Sequence, residues 1–348
     1  MIYNLQYLRA LAAVLVAFYH AEFVFGEMSG HQPGRFGFGA GGVDVFFVIS
    51  GLIMWITTCD GRKGPAAFLR NRIVRIVPLY WLFTAIKLAM VALLPAMATS
   101  KLALGHVLAS FGFLAWPNPA NGVLAPLIVA GWTLNLEMFF YAAFAAMLLA
   151  PLRLRAAGIC ALLALCVLAG LLLPLGEIAA FYTSPIMLEF AAGVLLAAVL
   201  APRIEALALP RGLWPVMAAA GLALMVLLPS SAATSWGRLA VWGLPGLMMV
   251  AGAYLHERTG AARVIPALVL LGNASYALYL AHPFAVAFAG MAWRKLHLPQ
   301  TGAGAGAAFI ALAVALSLAA GVIAHLLLEK PIARALRRRP APLSAPAG

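Results

Sequence analysis

The sequence predicts an all-α fold: a polytopic transmembrane helical bundle of about ten spans, with both ends cytoplasmic. Three observations carry that expectation. Of 348 residues, 65% are hydrophobic and 9% charged, against roughly 45–50% and 25% in soluble domains. Apolar runs of helix length recur along the whole chain, without the period-two alternation of barrel strands. Basic residues concentrate in alternate connecting segments.

The apolar windows fall near 5–26, 42–58, 77–96, 131–150, 157–175, 183–200, 213–228, 237–255, 267–288 and 304–328. Each is close to the ~20 residues that cross a bilayer core. Segment 102–116 is apolar but shorter, and Pro117 and Pro119 follow it; it reads as a re-entrant or interfacial piece. With the N-terminus in the cytoplasm, seventeen Lys and Arg lie inside and five outside (Arg35, Lys101, Arg238, Arg294 and Lys295), while Lys87 lies within a span. That asymmetry fits the positive-inside rule from end to end. Residues 1–336 read as one membrane domain. Residues 337–348 open on Arg337-Arg338-Arg339 and read as a basic tail expected to be disordered. The first span is too long and carries its arginine too late to be expected as a cleaved signal peptide.

The net charge of +13 belongs to loops that set topology and meet anionic headgroups, so no nucleic-acid partner is expected. Cys59, Cys160 and Cys166 form no ligand cluster, so neither a disulfide framework nor a metal site is expected.

Ionisable residues inside spans point to function by default. Arg9 and His20 are eleven residues apart, which places them on nearly one helix face, about 16 Å apart along the axis. By residue count from the span ends, His20, Glu137, His282 and Glu189 lie roughly 9–10 Å below the outer surface, and Asp44 about 6 Å below it. His20, Glu137 and His282 would then form one polar layer. Each also has a structural reading. Arg9 can snorkel, His20 can bond across helices, and Glu137 can pair with Lys87. His282 can satisfy a carbonyl freed by Pro283, Asp44 can cap its helix, and Glu189 can be purely structural. On the cytoplasmic side, Arg72 and Arg75 share a helix face with Arg70 beside them, a pattern suited to phosphate as well as to topology.

The motifs in order are Arg9–His20, GGVDVFFVISGLI at 41–53, RNRIVRIVPLYW at 70–81, WTLNLEMFFY at 132–141, LGNASYALYLAHPF at 271–284 and LLLEKPIARALRR at 326–338. In this arrangement the chain resembles the acyltransferase-3 family of integral membrane acyltransferases. The resemblance implies transfer of an acyl group, most often acetyl, from cytoplasmic acyl-CoA to a hydroxyl of a carbohydrate or lipid-linked glycan. It implies a bacterial cytoplasmic-membrane protein. The fused extracytoplasmic SGNH domain of larger relatives is not expected here.

On that reading Arg9, Arg70, Arg72 and Arg75 bind the donor nucleotide. His20 acts as general base, supported by Glu137 and, more weakly, Asp44. Ser275, Tyr279 and His282, spaced along one helix face, line the acceptor side. The competing class is a transporter or flippase of acyl groups or lipid-linked sugars. Buried His and Glu suit that too, although no inverted repeat is evident. A sensor or scaffold without chemistry is a third class.

Overall fold

The computed structural model describes residues 1–30, 37–93, 102–206, 209–260 and 263–337. Arg35, Lys101 and the tail beyond Arg337 lie outside them. Among the described residues the fold is helical, and its only bridge pairs Pro117 with Leu124.

Among the described residues fifteen α-helices follow in order. They are α1 (Tyr3–Ser29), α2 (Gly42–Ile56), α3 (Pro65–Leu93), α4 (Leu104–Phe111), α5 (Trp132–Met147), α6 (Leu152–Leu172), α7 (Glu177–Tyr182) and α8 (Met187–Leu195). Then come α9 (Ala201–Ala206), α10 (Leu213–Leu227), α11 (Ser235–Arg238), α12 (Leu244–Arg258), α13 (Pro266–Lys295), α14 (Ala303–Ala324) and α15 (Lys330–Arg337). Three π-turns, at Leu196–Leu200, Leu239–Gly243 and His325–Glu329, join α8 to α9, α11 to α12 and α14 to α15.

Every apolar window expected to span contains a helix. Seven helical stretches among the described residues are long and apolar enough to cross a membrane: Tyr3–Ser29, Gly37–Ile56, Pro65–Leu93, Leu152–Leu172, Glu177–Ile204, Ser235–Arg258 and Ala303–Leu336. The other three expected spans differ for physical reasons. At 16 and 15 residues, α5 and α10 extend only about 22–24 Å, short of a ~30 Å hydrocarbon core. Although α13 has 30 residues, its apolar character is diluted by Asn273, Ser275, Tyr276, Tyr279 and His282. The segment read as re-entrant contains the eight-residue α4, which is about 12 Å long and cannot cross.

The bundle packs tightly where side chains are small. A Cβ on Gly51 would lie 2.0 Å from the Phe190 carbonyl oxygen, and one on Gly193 would lie 2.0 Å from that of Val48. Only reciprocal glycines let α2 and α8 approach this closely. Around that crossing, Phe190 stacks on Phe47 and Phe140 at 4.5 and 4.4 Å. These contacts anchor the largest apolar cluster, which joins α2, α3, α5, α6 and α8.

Helix α1 lies against α13, α14, α2 and α12, and its Arg9 and His20 are half-buried. Its first turn has no local side-chain cap. Instead the Glu257 carboxylate at the end of α12 accepts from the Tyr3 and Asn4 amides at 2.7 and 2.6 Å. The carboxylate satisfies two orphan donors and meets the positive end of the helix dipole. Glu257→Ala should cost about 1–2 kcal/mol, read as a lower unfolding midpoint in mixed micelles. Glu257→Gln should cost less, because its amide oxygen still accepts one bond.

Candidate active site

Helices α1, α2, α3, α5 and α13 line a cavity open to its surroundings, with about 780 Å³ of empty space counting its mouth. One end is basic. Arg9 from α1 and Arg72 and Arg75 from α3 line it, and the Arg72 Nε is buried without a hydrogen-bond partner. The middle carries Glu137, Ser50 and Tyr141. Glu137 accepts from the Ser50 hydroxyl at 3.1 Å and closely from the Tyr141 hydroxyl, one turn along α5. The other end is formed by Thr133, Ser275 and Tyr279. The Tyr279 hydroxyl donates to the Ala130 carbonyl and accepts from Thr133, both at 2.8 Å. Apolar side chains of α2, among them Val43, Phe46 and Ile53, complete the walls.

His282 stands behind Tyr279, with ring centroids 5.6 Å apart, and His20 lies 4.8 Å beyond it. His20 donates from Nδ1 to the Val16 carbonyl at 2.9 Å. A carbonyl only accepts, so this bond fixes the proton on Nδ1 and leaves Nε2 with its lone pair. His282 is fully buried, and neither of its ring nitrogens has a hydrogen-bond partner among the described residues.

The expected site residues therefore divide. Arg9, Arg72, Arg75, Glu137, Ser275 and Tyr279 line one cavity, and His20 meets His282 next to it. Among the described residues Glu137 makes no hydrogen bond to His20 or His282. Its partners are Ser50 and Tyr141, Arg9 is among its electrostatic neighbours, and no ion pair with Lys87 is found among the described residues. Ahead of α5, Ala125, Leu127, Ile128 and Ala130 are buried.

Two expected residues stand elsewhere. Arg70 is exposed and donates to the Leu336 carbonyl at 3.3 Å. Asp44 is fully buried and bidentately paired to Arg238, at 2.9 and 2.7 Å, and is not among the cavity's lining residues. The buried Glu189 carboxyl lies beside that pair, and a Cβ on Gly243 would meet its Oε1 at 2.9 Å. The residues missed from sequence include Arg238, counted there as a loop cation, and the hydroxyls of Thr133, Tyr141 and Tyr276. Thr133 and Tyr141 had a legible signal, since both sit one helical turn from Glu137. Among the described residues no group of three or more His, Cys, Asp or Glu is placed to hold a metal ion.

Bundle and cavity define a multi-pass helical membrane protein with a charged chamber in its core. The family model of an acyltransferase domain matches residues 2–323. Over 319 residues the chain is 37% identical to the exopolysaccharide production protein ExoZ of Rhizobium meliloti (strain 1021), covering 90% of this chain and 94% of that protein. The chain belongs to the acyltransferase-3 family and is an acyltransferase. No solved structure matches it.

Proposed function

We propose that the protein moves an acyl group, acetyl foremost, from cytoplasmic acyl-CoA to a hydroxyl of a carbohydrate or lipid-linked glycan in a bacterial cytoplasmic membrane. The observation that carries this reading is the cavity itself. It is cationic at one end through Arg9, Arg72 and Arg75 and reaches Tyr279, next to the His282–His20 pair, at the other. The exopolysaccharide role named for the relative supports a glycan acceptor. The Lys and Arg asymmetry supports ten spans, residues 1–336 as one membrane domain and a cytoplasmic basic end.

Arg72 and Arg75 hold donor phosphates through charge-assisted bonds, and Arg9 extends the cationic path. The uncharged arm of the donor then runs along the apolar face of α2. Ser275, Tyr279 and His282 line the acceptor side. His20 Nε2 removes the hydroxyl proton as the oxygen attacks the thioester carbonyl. An ester C–O bond forms, the C–S bond breaks, and the proton passes to the departing thiolate. Tyr279 and His282 separate His20 from the cavity, so this chemistry requires that wall to part when substrates bind. Glu137, held by Ser50 and Tyr141, sets the shape of the arm's channel. Asp44 acts on the frame through Arg238 and not on substrate.

The donor half is tested by binding. Arg72→Ala with Arg75→Ala should weaken acetyl-CoA binding roughly ten- to hundredfold, as expected for losing charged hydrogen bonds. Calorimetry on purified protein reads this directly, and unchanged affinity would overturn the placement of the nucleotide.

A further inference from the structure

Glu329, the carboxylate of the closing motif, does not line the cavity, yet it lies beside the cationic end. It stands in the π-turn His325–Glu329, just ahead of Pro331. Proline has no N–H to give the carbonyl a turn back, and π-turns often mark functional positions. His325 Nδ1 donates to Glu329 Oε2 at 2.6 Å, and the two side chains are only 7% and 13% exposed. An ionised carboxylate only accepts, so the shared proton belongs to Nδ1.

Close glycine contacts fix the level of this pair. Helix α13 runs parallel to α1, since a Cβ on Gly272 would meet Gln6 and one on Gly290 would meet Val24. Arg9 and Ser275 follow the first of these contacts by the same number of residues, so they share a level. Helix α14 runs antiparallel to α13, since Phe309 lies by Gly290 and a Cβ on Gly321 would meet Leu278. His325 is then level with Ala274, and Glu329 lies about a turn nearer the Pro266 end. The π-turn also packs on α13 and α3, the helices that bring Ser275, Arg72 and Arg75 to the cavity. The charged neighbours of Arg9 are Arg75, Glu329 and Glu137, and Glu329 attracts it more strongly than Glu137 does.

Three guanidiniums gathered at one end of a cavity repel one another. Among the described residues no carboxylate forms an ion pair with Arg9. A carboxylate in direct contact would have to be displaced by each arriving phosphate. One set a step back lowers the mutual repulsion and leaves the N–H groups for the anion. We propose that Glu329, oriented by His325, is the counter-charge that holds Arg9 together with Arg72 and Arg75 at the cationic end of the cavity. It is a positioning residue and touches no substrate. The assignment rests on the reading of that end as the donor site, and it names what keeps the site assembled before the donor arrives.

The experiment is calorimetry with acetyl-CoA on the full-length protein in mixed micelles. Glu329→Gln keeps the shape and an acceptor for His325 but removes the charge, and it should weaken affinity about tenfold. Glu329→Asp keeps the charge and should recover most of that loss. In an Arg9→Gln background, Glu329→Gln should cost less than about twofold, because the group it positions is gone. A merely structural role would cost the same in both backgrounds. Tighter binding in Glu329→Gln, no recovery in Glu329→Asp, or equal losses in the two backgrounds overturns the proposal. Affinity unchanged in Arg9→Gln and in the variant carrying Arg72→Ala with Arg75→Ala overturns the donor reading instead. Unfolding midpoints of the same Arg9 and Glu329 variants then decide the pairing without any donor. Additive shifts overturn it, and non-additive shifts uphold it.

Discussion

His20→Ala should abolish acyl transfer while leaving acetyl-CoA binding in place. General acid–base catalysis contributes about 10²–10⁴ in rate, so kcat should fall by at least that range while donor affinity stays at the wild-type level. The separation follows from geometry. The cationic groups expected to hold phosphate lie at the other end of the cavity, about 16 Å along α1 from His20. Among the described residues the imidazole's one hydrogen bond is to the Val16 carbonyl, so its removal should leave the unfolding midpoint close to that of the parent. His20→Gln is the sharper control. It restores a side-chain donor for the Val16 carbonyl and fills similar space, yet cannot act as a base near neutrality. Transfer restored by Gln would mean that His20 only positions its neighbours. Transfer in the Ala variant at the wild-type rate would remove it from the chemistry altogether. Label from acetyl-CoA trapped on His20 would replace direct proton abstraction with an acyl-imidazole intermediate.

Much of this site could be read before any coordinates. Helical periodicity alone placed Arg9 and His20 on one face, and chain topology placed Arg9 with Arg72 and Arg75; all three arginines line one cavity. Spacing within α13 brought Ser275 and Tyr279 to its wall, and His282 to His20. These are consequences of local rise and of side counting, which sequence carries. The partners of Glu137, Ser50 and Tyr141, escaped because Ser50 lies on another helix and nothing in the local pattern pairs the two. The π-turn at Leu239–Gly243 escaped for a similar reason. It follows Arg238 and carries Trp242, whose indole lies under the guanidinium at 4.7 Å, and a sequence window centred on apolar residues registers only the span. Arg238 itself was misread because a basic residue at a span end is ordinarily a topology signal. Its partner, Asp44, is 194 residues away.

That partnership makes Arg238 the position where a single substitution should do most damage to the fold. Asp44 is fully buried, Arg238 is 19% exposed, and the two share a bidentate pair. The guanidinium also stacks near Trp242 and Trp132, at 4.7 and 5.9 Å. Four elements meet there: α2 through Asp44, α5 through Trp132, α8 through the adjacent Glu189, and the end of α11 with the π-turn that follows it. Arg238→Met keeps much of the hydrocarbon stem but leaves a carboxylate buried beside Glu189 with no counter-charge. Stranding a buried charge in this way costs about 3–5 kcal/mol, and the lost cation–π contacts add about 0.5–2 kcal/mol. The variant should therefore unfold at markedly lower denaturant in mixed micelles. Adding Asp44→Asn should recover most of that loss, because the stranded charge, and not the absent bond, is the larger part of the cost. If the double variant were no more stable than Arg238→Met alone, the pair would not be what holds these elements in register. Activity adds a second axis. Trp132 opens the helix that carries Thr133 and Glu137, and Asp44 opens the helix that carries Ser50. A rescued double variant with weakened transfer and intact donor binding would show that Arg238 also aligns α2 and α5 around the Ser50–Glu137 bond. A rescued variant with full transfer would confine its role to stability.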